Sequence, residues 1–264
     1  MPLIQLVLLA LIQGLTEFIP VSSSAHLILP AQLIEGFEDQ GTAVDVAAHV
    51  GSLGAVMLYF RAEVARLFQG ARDAVRGRGG EDRKLFVTLL VATVPFLIVA
   101  PVLALSGAAD ALRSVTVIAW ASIVFGLVLY AADRMPVRLH HLPRRLPPAL
   151  AIGAAQCLAL IPGTSRSGIT ITAARALGYD RTEAARFSML MSIPAIGASG
   201  AYLALDAAAE PVAWGPIGIV AALSLASAYA AIGLFLRLTR SASFTPFVAY
   251  RVALGTVLLL FFTT

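Results

Sequence analysis

Two short polar stretches hold most of the side chains that could do chemistry in this chain of 264 residues. The first reads Gln13-Gly-Leu-Thr-Glu17-Phe-Ile-Pro20-Val-Ser22-Ser23-Ser24-Ala-His26. The second reads Gln156-Cys-Leu-Ala-Leu-Ile-Pro162-Gly163-Thr164-Ser165-Arg166-Ser167-Gly168-Ile-Thr170. The second has the parts of an anion cradle. Gly163 and Gly168 let backbone N–H groups approach a ligand closely, and a turn that feeds a helix N-terminus favours phosphate. Arg166 offers a planar fork that matches phosphate oxygens in pairs, with Thr164, Ser165, Ser167 and Thr170 as further donors. It is not a Walker A loop, which needs a Gly-Lys-Ser/Thr ending. The first stretch adds what phosphoryl transfer needs beyond binding. Ser22, Ser23 and Ser24 are candidate nucleophiles, and His26 lies close enough in sequence to serve as general base or acid. Glu17, a carboxylate in an apolar setting, could hold a divalent metal or tune His26. Plainer roles compete. Serines cap helices, and a Glu17–Arg166 salt bridge could simply pin the two stretches together, though that leaves the surrounding hydroxyls and His26 unexplained.

Composition says what must position these groups. Hydrophobic residues make up 59% of the chain and charged residues 13%, against about 25% charged in soluble domains, and mean hydropathy is +0.85. So little polar surface cannot cover a water-soluble globule, and the chain reads as an integral membrane protein. Membrane insertion also sets aside nucleic acid as a partner, despite a net charge of +4 and a pI near 9.6. The lone Cys157 excludes an internal disulfide and a cysteine-based zinc site. Met1–Ile12 lacks the basic start of a cleavable signal peptide.

Six apolar runs are long enough to cross a bilayer: 43–60, 85–105, 114–132, 187–205, 215–236 and 246–263. Regions 2–34 and 147–178 are as long, but each is broken by one of the polar stretches. Basic residues cluster at 61–84, 134–145, 175–186 and 237–240, while acid-bearing connections poor in Arg lie at 35–39, 106–113 and 206–210. With every basic cluster in the cytoplasm, the spans alternate correctly only if each broken region leaves on the side it came in. The expectation is therefore an all-α polytopic membrane protein of six transmembrane helices and two re-entrant helical hairpins. One hairpin comes from the outer face and the other from the cytoplasm, and non-helical backbone at that depth must be buried or line a wet cavity.

The Gln, Ile-Pro and Ser-rich pattern of the first break recurs about 143 residues later, and each break is followed by three spans. That is the signature of an inverted-topology repeat, with halves 1–133 and 147–264 joined by a basic loop 134–146, and it places a site at the broken helices. Asp45 and His49, spaced to share a helix face, either add a second polar contact to the site or bond each other. Arg251 reads as structural, snorkelling or paired with a carbonyl, and Trp120, Trp214 and Tyr250 read as core or interfacial anchors.

The motifs Gln13-x-x-x-Glu17, Pro20-Val-Ser-Ser-Ser-Ala-His26 and Pro162-Gly-Thr-Ser-Arg-Ser-Gly-x-Thr170 resemble the signatures of bacterial undecaprenyl-diphosphate phosphatases of the bacitracin-resistance type. The resemblance extends to Asp45-x-x-x-His49-Val-Gly-Ser-Leu, Phe187-Ser-x-x-x-Ser-Ile-Pro194 and Phe244-Thr-Pro-Phe-x-x-Tyr-Arg251. It implies removal of the terminal phosphate from undecaprenyl diphosphate, which recycles the lipid carrier of cell-wall synthesis. It also implies a multi-pass protein of the bacterial inner membrane, an active site open to the periplasm and a divalent cation, Mg2+ or Ca2+. By motif match Ser23 takes the nucleophile role, His26 the acid/base role and Arg166 the phosphate clamp, with Glu17 as the motif's acid. Gln13 stands where a second carboxylate is common, which weakens any scheme with two carboxylates on a metal. Ser24 and Ala25 replace a common Thr and Gly. The residues alone leave Ser22 and Ser23 as alternative nucleophiles, and a homodimer remains open. A flippase of undecaprenyl phosphate is the competing function, since transporters share inverted repeats and broken helices. The wider acid-phosphatase superfamily is rejected, because Lys84 is the only Lys and no His follows His141.

Overall fold

The computed structural model describes residues 2–37, 41–107, 111–207 and 214–262. The expected acidic connections at 38–39, 108–110 and 208–210, and the side chain of the expected anchor Trp214, lie outside the described residues. Eleven α-helices follow one another with no strand among the described residues. They are α1 (Leu3–Glu17), α2 (Ser23–Leu33), α3 (Thr42–Tyr59), α4 (Arg61–Val75), α5 (Glu81–Leu105), α6 (Val115–Asp133), α7 (Leu146–Gln156), α8 (Arg166–Ala176), α9 (Arg181–Ala207), α10 (Trp214–Ser241) and α11 (Thr245–Phe261). A short 3₁₀ turn, Cys157–Leu160, extends α7.

Helices α3, α5, α6 and most of α10 are long and apolar enough to cross a bilayer. This is an all-α, multi-pass membrane protein. Helix α11 is apolar but has 17 residues, and α9 opens with Arg181, Glu183 and Arg186 ahead of its apolar run. The two broken regions behave differently. α1, at 15 residues, extends only about 22 Å, and α2 and α8, at 11 residues each, about 16 Å. None reaches across a hydrocarbon core of about 30 Å.

Local chemistry ends these helices where it does. Pro20 disfavours helical backbone at Ile19, so α1 stops at Glu17. Pro162 and Gly163, with φ +93°, do the same between the 3₁₀ turn and α8. Then comes one residue of left-handed backbone in each break: Ser22 (φ +75°) before α2 and Ser165 (φ +69°) before α8, the only non-glycine residues with positive φ among those described. Both sit at the N-cap of the returning helix. Their side chains repeat the likeness, Ser22 Oγ meeting Ser24 Oγ at 3.2 Å and Ser165 Oγ meeting Ser167 Oγ at 3.1 Å. The offset that relates the two sequence motifs therefore also relates the helices and their caps.

Small residues let the elements close on each other. A Cβ at Gly14 of α1 would strike Ser224 and Ser227 of α10, and one at Gly153 of α7 would strike the Ala92 backbone of α5. The first helix of each broken region thus packs on a long helix distant from it in sequence.

Two expectations need correction. The basic stretch 61–84 was expected to be a connection, yet it contains α4. Val64, Leu67, Phe68 and Ala71 fall at helical spacing and, with Phe86 and Leu89 of α5, line one groove; the density of charge hides this periodicity in the sequence. The span expected at 187–205 begins instead at Arg181, because Asp180 accepts the Glu183 amide (2.9 Å) as a helix cap. The other spans shift by a few residues at their ends.

On the face bearing the basic clusters, buried Asp133 ends α6 and gathers three elements. It accepts Arg181 Nε at 2.6 Å and Nη2 at 3.1 Å, and the Phe244 amide at 3.0 Å. Arg175 Nε lies 3.6 Å away, while the rest of that guanidinium donates to the carbonyls of Asp133, Met135 and Tyr179. Asp133→Ala leaves buried Arg175 without a carboxylate and is expected to cost about 3–5 kcal/mol, read as a lower thermal unfolding temperature in detergent. An unchanged transition would mean that the carbonyls alone satisfy Arg175.

Candidate active site

The two hairpins meet at one carboxylate. Glu17, the last residue of α1 and only 7% exposed, accepts from three side chains. Gln13 Nε2, one helical turn back, reaches its Oε2 at 3.0 Å. Ser23 Oγ, the first residue of α2, donates to the same oxygen at 2.7 Å. Arg166 Nη2, the first residue of α8, donates to Oε1 at 3.0 Å. Ser23 and Arg166 thus hold equivalent positions at the starts of the two returning helices, and both starts converge on Glu17. Helix N-termini carry partial positive charge and unpaired amides, so the convergence is an anion site on backbone grounds alone.

Arg166 is held at its other edge, Nη1 donating to the Ser188 carbonyl of α9 at 3.2 Å. Its side chain is 13% exposed, and the remaining guanidinium donors are left for a ligand. Ser165 accepts the Gly168 amide (3.1 Å), and Ser167 Oγ donates to the Ile19 carbonyl of the first hairpin (2.9 Å). Thr170 Oγ1 is engaged inside the protein, with the Arg166 and Ser167 carbonyls and with Ser188 Oγ. Thr164 Oγ1 is buried and has no protein partner among the described residues.

The glycines serve packing more than ligand approach. A Cβ at Gly163 would press on the Ile118 backbone of α6, and one at Gly168 would come within 2.9 Å of Arg251 Nη1.

His26 departs from the sequence expectation. Its Nδ1 lies 2.7 Å from the Ser22 carbonyl, and its Nε2 lies 2.5 Å from Tyr250 Oη, with the two rings stacked. A carbonyl only accepts, so Nδ1 carries the proton, and in the neutral ring Nε2 accepts from Tyr250. Both nitrogens are engaged, and the hydroxyl of Ser23 is instead on Glu17. The reason is geometric: in a helix the ring at i+4 folds back over the carbonyl at i, away from the neighbouring serine.

Asp45 and His49 do not form the side-chain pair considered from sequence, since His49 Nδ1 bonds the Asp45 backbone carbonyl at 2.8 Å. Two contributors were missed. Tyr250, expected to be an anchor, is the partner of His26, and Ser188 supplies both a carbonyl and a hydroxyl to the second break. Only the Phe187-Ser spacing pointed toward Ser188.

Glu17 is the one carboxylate these hydrogen bonds gather, and Gln13 Oε1 beside it is buried without a hydrogen-bond partner among the described residues, so a divalent cation here would share its ligands with a substrate phosphate. Both Glu17 oxygens are engaged, and among the described residues no three His, Cys, Asp or Glu side chains are grouped to hold a cation. Divalent cations need several oxygen ligands at once.

Against known proteins, residues 6–257 match the family described as bacitracin resistance protein BacA. A protein named undecaprenyl-diphosphatase from Ruegeria sp. (strain TM1040) is 53% identical over 263 residues, covering 98% of each chain. Proteins of the same name from Ruegeria pomeroyi and Dinoroseobacter shibae are each 52% identical, again over 98% of both chains. A match of this extent, on a chain whose two breaks converge as the shared motifs require, makes this protein a member of the bacitracin resistance protein BacA family.

Proposed function

We propose that this protein hydrolyses undecaprenyl diphosphate to undecaprenyl phosphate and inorganic phosphate, the activity for which its relatives are named. The observation that carries the reading is the 2.7 Å bond from Ser23 Oγ to Glu17, beside Arg166 at 3.0 Å. A hydroxyl on a carboxylate, next to a guanidinium and two helix N-termini, is a nucleophile with its base and its anion clamp. A transporter needs the clamp but no nucleophile, and the relatives are named for the phosphatase activity.

The step balances as follows. Glu17 takes the Ser23 proton as Oγ attacks the terminal phosphorus. The bond from that phosphorus to the bridging oxygen breaks, and undecaprenyl phosphate leaves with the electron pair. Glu17 returns its proton to the departing phosphate oxygen. Water then attacks the phosphoserine, Glu17 accepts its proton, and the Ser23 oxygen leaves and is reprotonated. Arg166 and the first-turn amides of α8 hold the charge that shifts between oxygens.

Ser23 is the nucleophile over Ser22. Ser22 is almost fully buried, sits in left-handed backbone and points its hydroxyl at Ser24, whereas Ser23 is on the base. The cation, Mg2+ or Ca2+, shares its ligands with the substrate diphosphate. We further propose the arrangement of six spans with two re-entrant hairpins as inverted repeats 1–133 and 147–264. The site then opens to the periplasm from the inner membrane. Helices too short to span, repeated caps and crosswise packing of the hairpins support this.

Phosphate release from undecaprenyl diphosphate by the purified protein in detergent tests the chemistry. Ser23→Ala is expected to lose at least about 10³-fold in kcat and Glu17→Gln about 10²–10⁴-fold. Ser22→Gly, which suits φ +75°, is expected to stay within about tenfold. Full turnover in Ser23→Ala would eliminate the scheme. Arg166→Lys keeps a charge but cannot hold Glu17 and Ser188 together, and is expected to lower kcat/KM about 10- to 100-fold; wild-type turnover would reduce the clamp to a point charge. For topology, single cysteines placed at Gly36 and Gly79 in a Cys157→Ser background are expected to react with impermeant reagent from opposite sides of the membrane. Labelling of both from one side would overturn the arrangement.

A further inference from the structure

Arg251 of α11 is fully buried and stands directly behind the turn that carries the clamp. Its Nη2 donates to the carbonyls of Gly163 (2.9 Å) and Thr164 (2.8 Å), with Ala121 of α6 at 3.4 Å. Its Nε and Nη1 are buried without a hydrogen-bond partner among the described residues. Nη1 faces the first turn of α8, since a Cβ at Gly168 would lie 2.9 Å from it.

No Asp or Glu among the described residues pairs with this guanidinium. The chain's other fully buried arginine marks the contrast, for Arg175 also caps carbonyls but has the Asp133 carboxylate 3.6 Å away. An unbalanced charge in a low-dielectric interior is strongly unfavourable, and at membrane depth such residues mark ligand sites. Arg251 therefore lacks a counter-charge that something else must supply. Its bonds show where. By drawing the Thr164 carbonyl toward itself, it turns the amide of that trans peptide, the Ser165 N–H, the opposite way, toward the ligand side of the turn. Thr164 Oγ1, the other orphaned polar atom of this turn, is buried beside it.

We propose that Arg251 is the second cation of the site, a positioning residue whose counter-charge is the diphosphate group of the bound lipid. It shapes the turn from behind while Arg166 grips from the front. This inference rests on the reading of that turn as the diphosphate-binding element.

The test is thermal unfolding of the purified full-length protein with and without inorganic pyrophosphate, together with phosphate release from undecaprenyl diphosphate. Wild type, Arg251→Gln and Arg251→Lys are compared. Gln can still donate to the carbonyls but carries no charge. Wild-type protein is expected to be stabilised by pyrophosphate. Arg251→Gln is expected to unfold at or above the wild-type temperature without the anion, to lose the pyrophosphate shift, and to fall about 10- to 100-fold in kcat/KM. Arg251→Lys is expected to keep a large part of the shift. A full pyrophosphate shift in Arg251→Gln overturns the proposal, and so does a lowered unfolding temperature with the shift intact, which would make Arg251 a strut. Wild-type protein that releases phosphate but gains nothing from pyrophosphate overturns this inference alone. Wild-type protein that does neither overturns the hydrolase reading with it.

Discussion

A single buried carboxylate joins two interrupted helices that neither half could hold at depth alone. Glu17 ends one hairpin's first arm and takes hydrogen bonds from the first residues of both returning helices, Ser23 and Arg166. The pair is worth keeping because separation would be worse: removing one partner of a buried ion pair leaves an unpaired charge in an apolar surround. Around it, Ser167 Oγ donates to the Ile19 carbonyl of the first break, Arg251 of α11 donates to the Gly163 and Thr164 carbonyls of the second, and Arg166 donates to the Ser188 carbonyl of α9. Irregular backbone inside a membrane survives only when its polar groups find such partners.

The same bonds that close the structure prepare the chemistry. A serine hydroxyl cannot attack phosphorus unless something takes its proton, and the carboxylate that pins the hairpins is positioned to do so. The guanidinium that neutralises this carboxylate belongs to the first residue of α8, at a helix N-terminus that favours anions. Two helix N-termini add charge without adding ionisable groups, which is an economical way to hold an anion at depth. Behind this front, Arg251 adds a charge with no protein partner, and Tyr250 holds the outer nitrogen of His26. The resting site carries more positive charge than its own carboxylate can balance, as a receptor for a diphosphate should.

The face bearing the basic clusters follows a different logic. There six of the sixteen clustered basic residues pair with acids among the described residues: Arg181 and Arg175 with Asp133, Arg186 with Glu63 and Glu183, Arg66 with Asp82, and Arg144 and Lys84 with Glu81. Exposed pairs of this kind contribute little individually, but the Asp133 group is buried and ties α6, α8, α9 and α11 at one end. The linker backs it, Arg138 and Leu139 amides both donating to the Gly178 carbonyl.

By itself the sequence determined the class and the cast. Low charge and long apolar runs demanded a membrane, the Pro, Gly and Ser breaks demanded helix interruptions, and the recurrence of the breaks pointed to the matching turns at Ser22 and Ser165. Glu17, Ser23 and Arg166 were legible as one group because ionisable and hydroxyl side chains are too costly at depth to be incidental. What the sequence left open was who bonds whom. Ser23 and Ser22 are neighbours in the chain, and only the left-handed turn at Ser22 sends one hydroxyl to the carboxylate and the other to Ser24. His26 looked like the base of Ser23 by spacing, yet helix geometry turned it to Ser22 and Tyr250. Tyr250 and Arg251 lie about eighty residues beyond the second break, and α4 hides its apolar stripe among arginines. Such pairings come from the packing of distant helices. A linear pattern can specify which face of a helix is polar, but it cannot specify which other helix that face will meet.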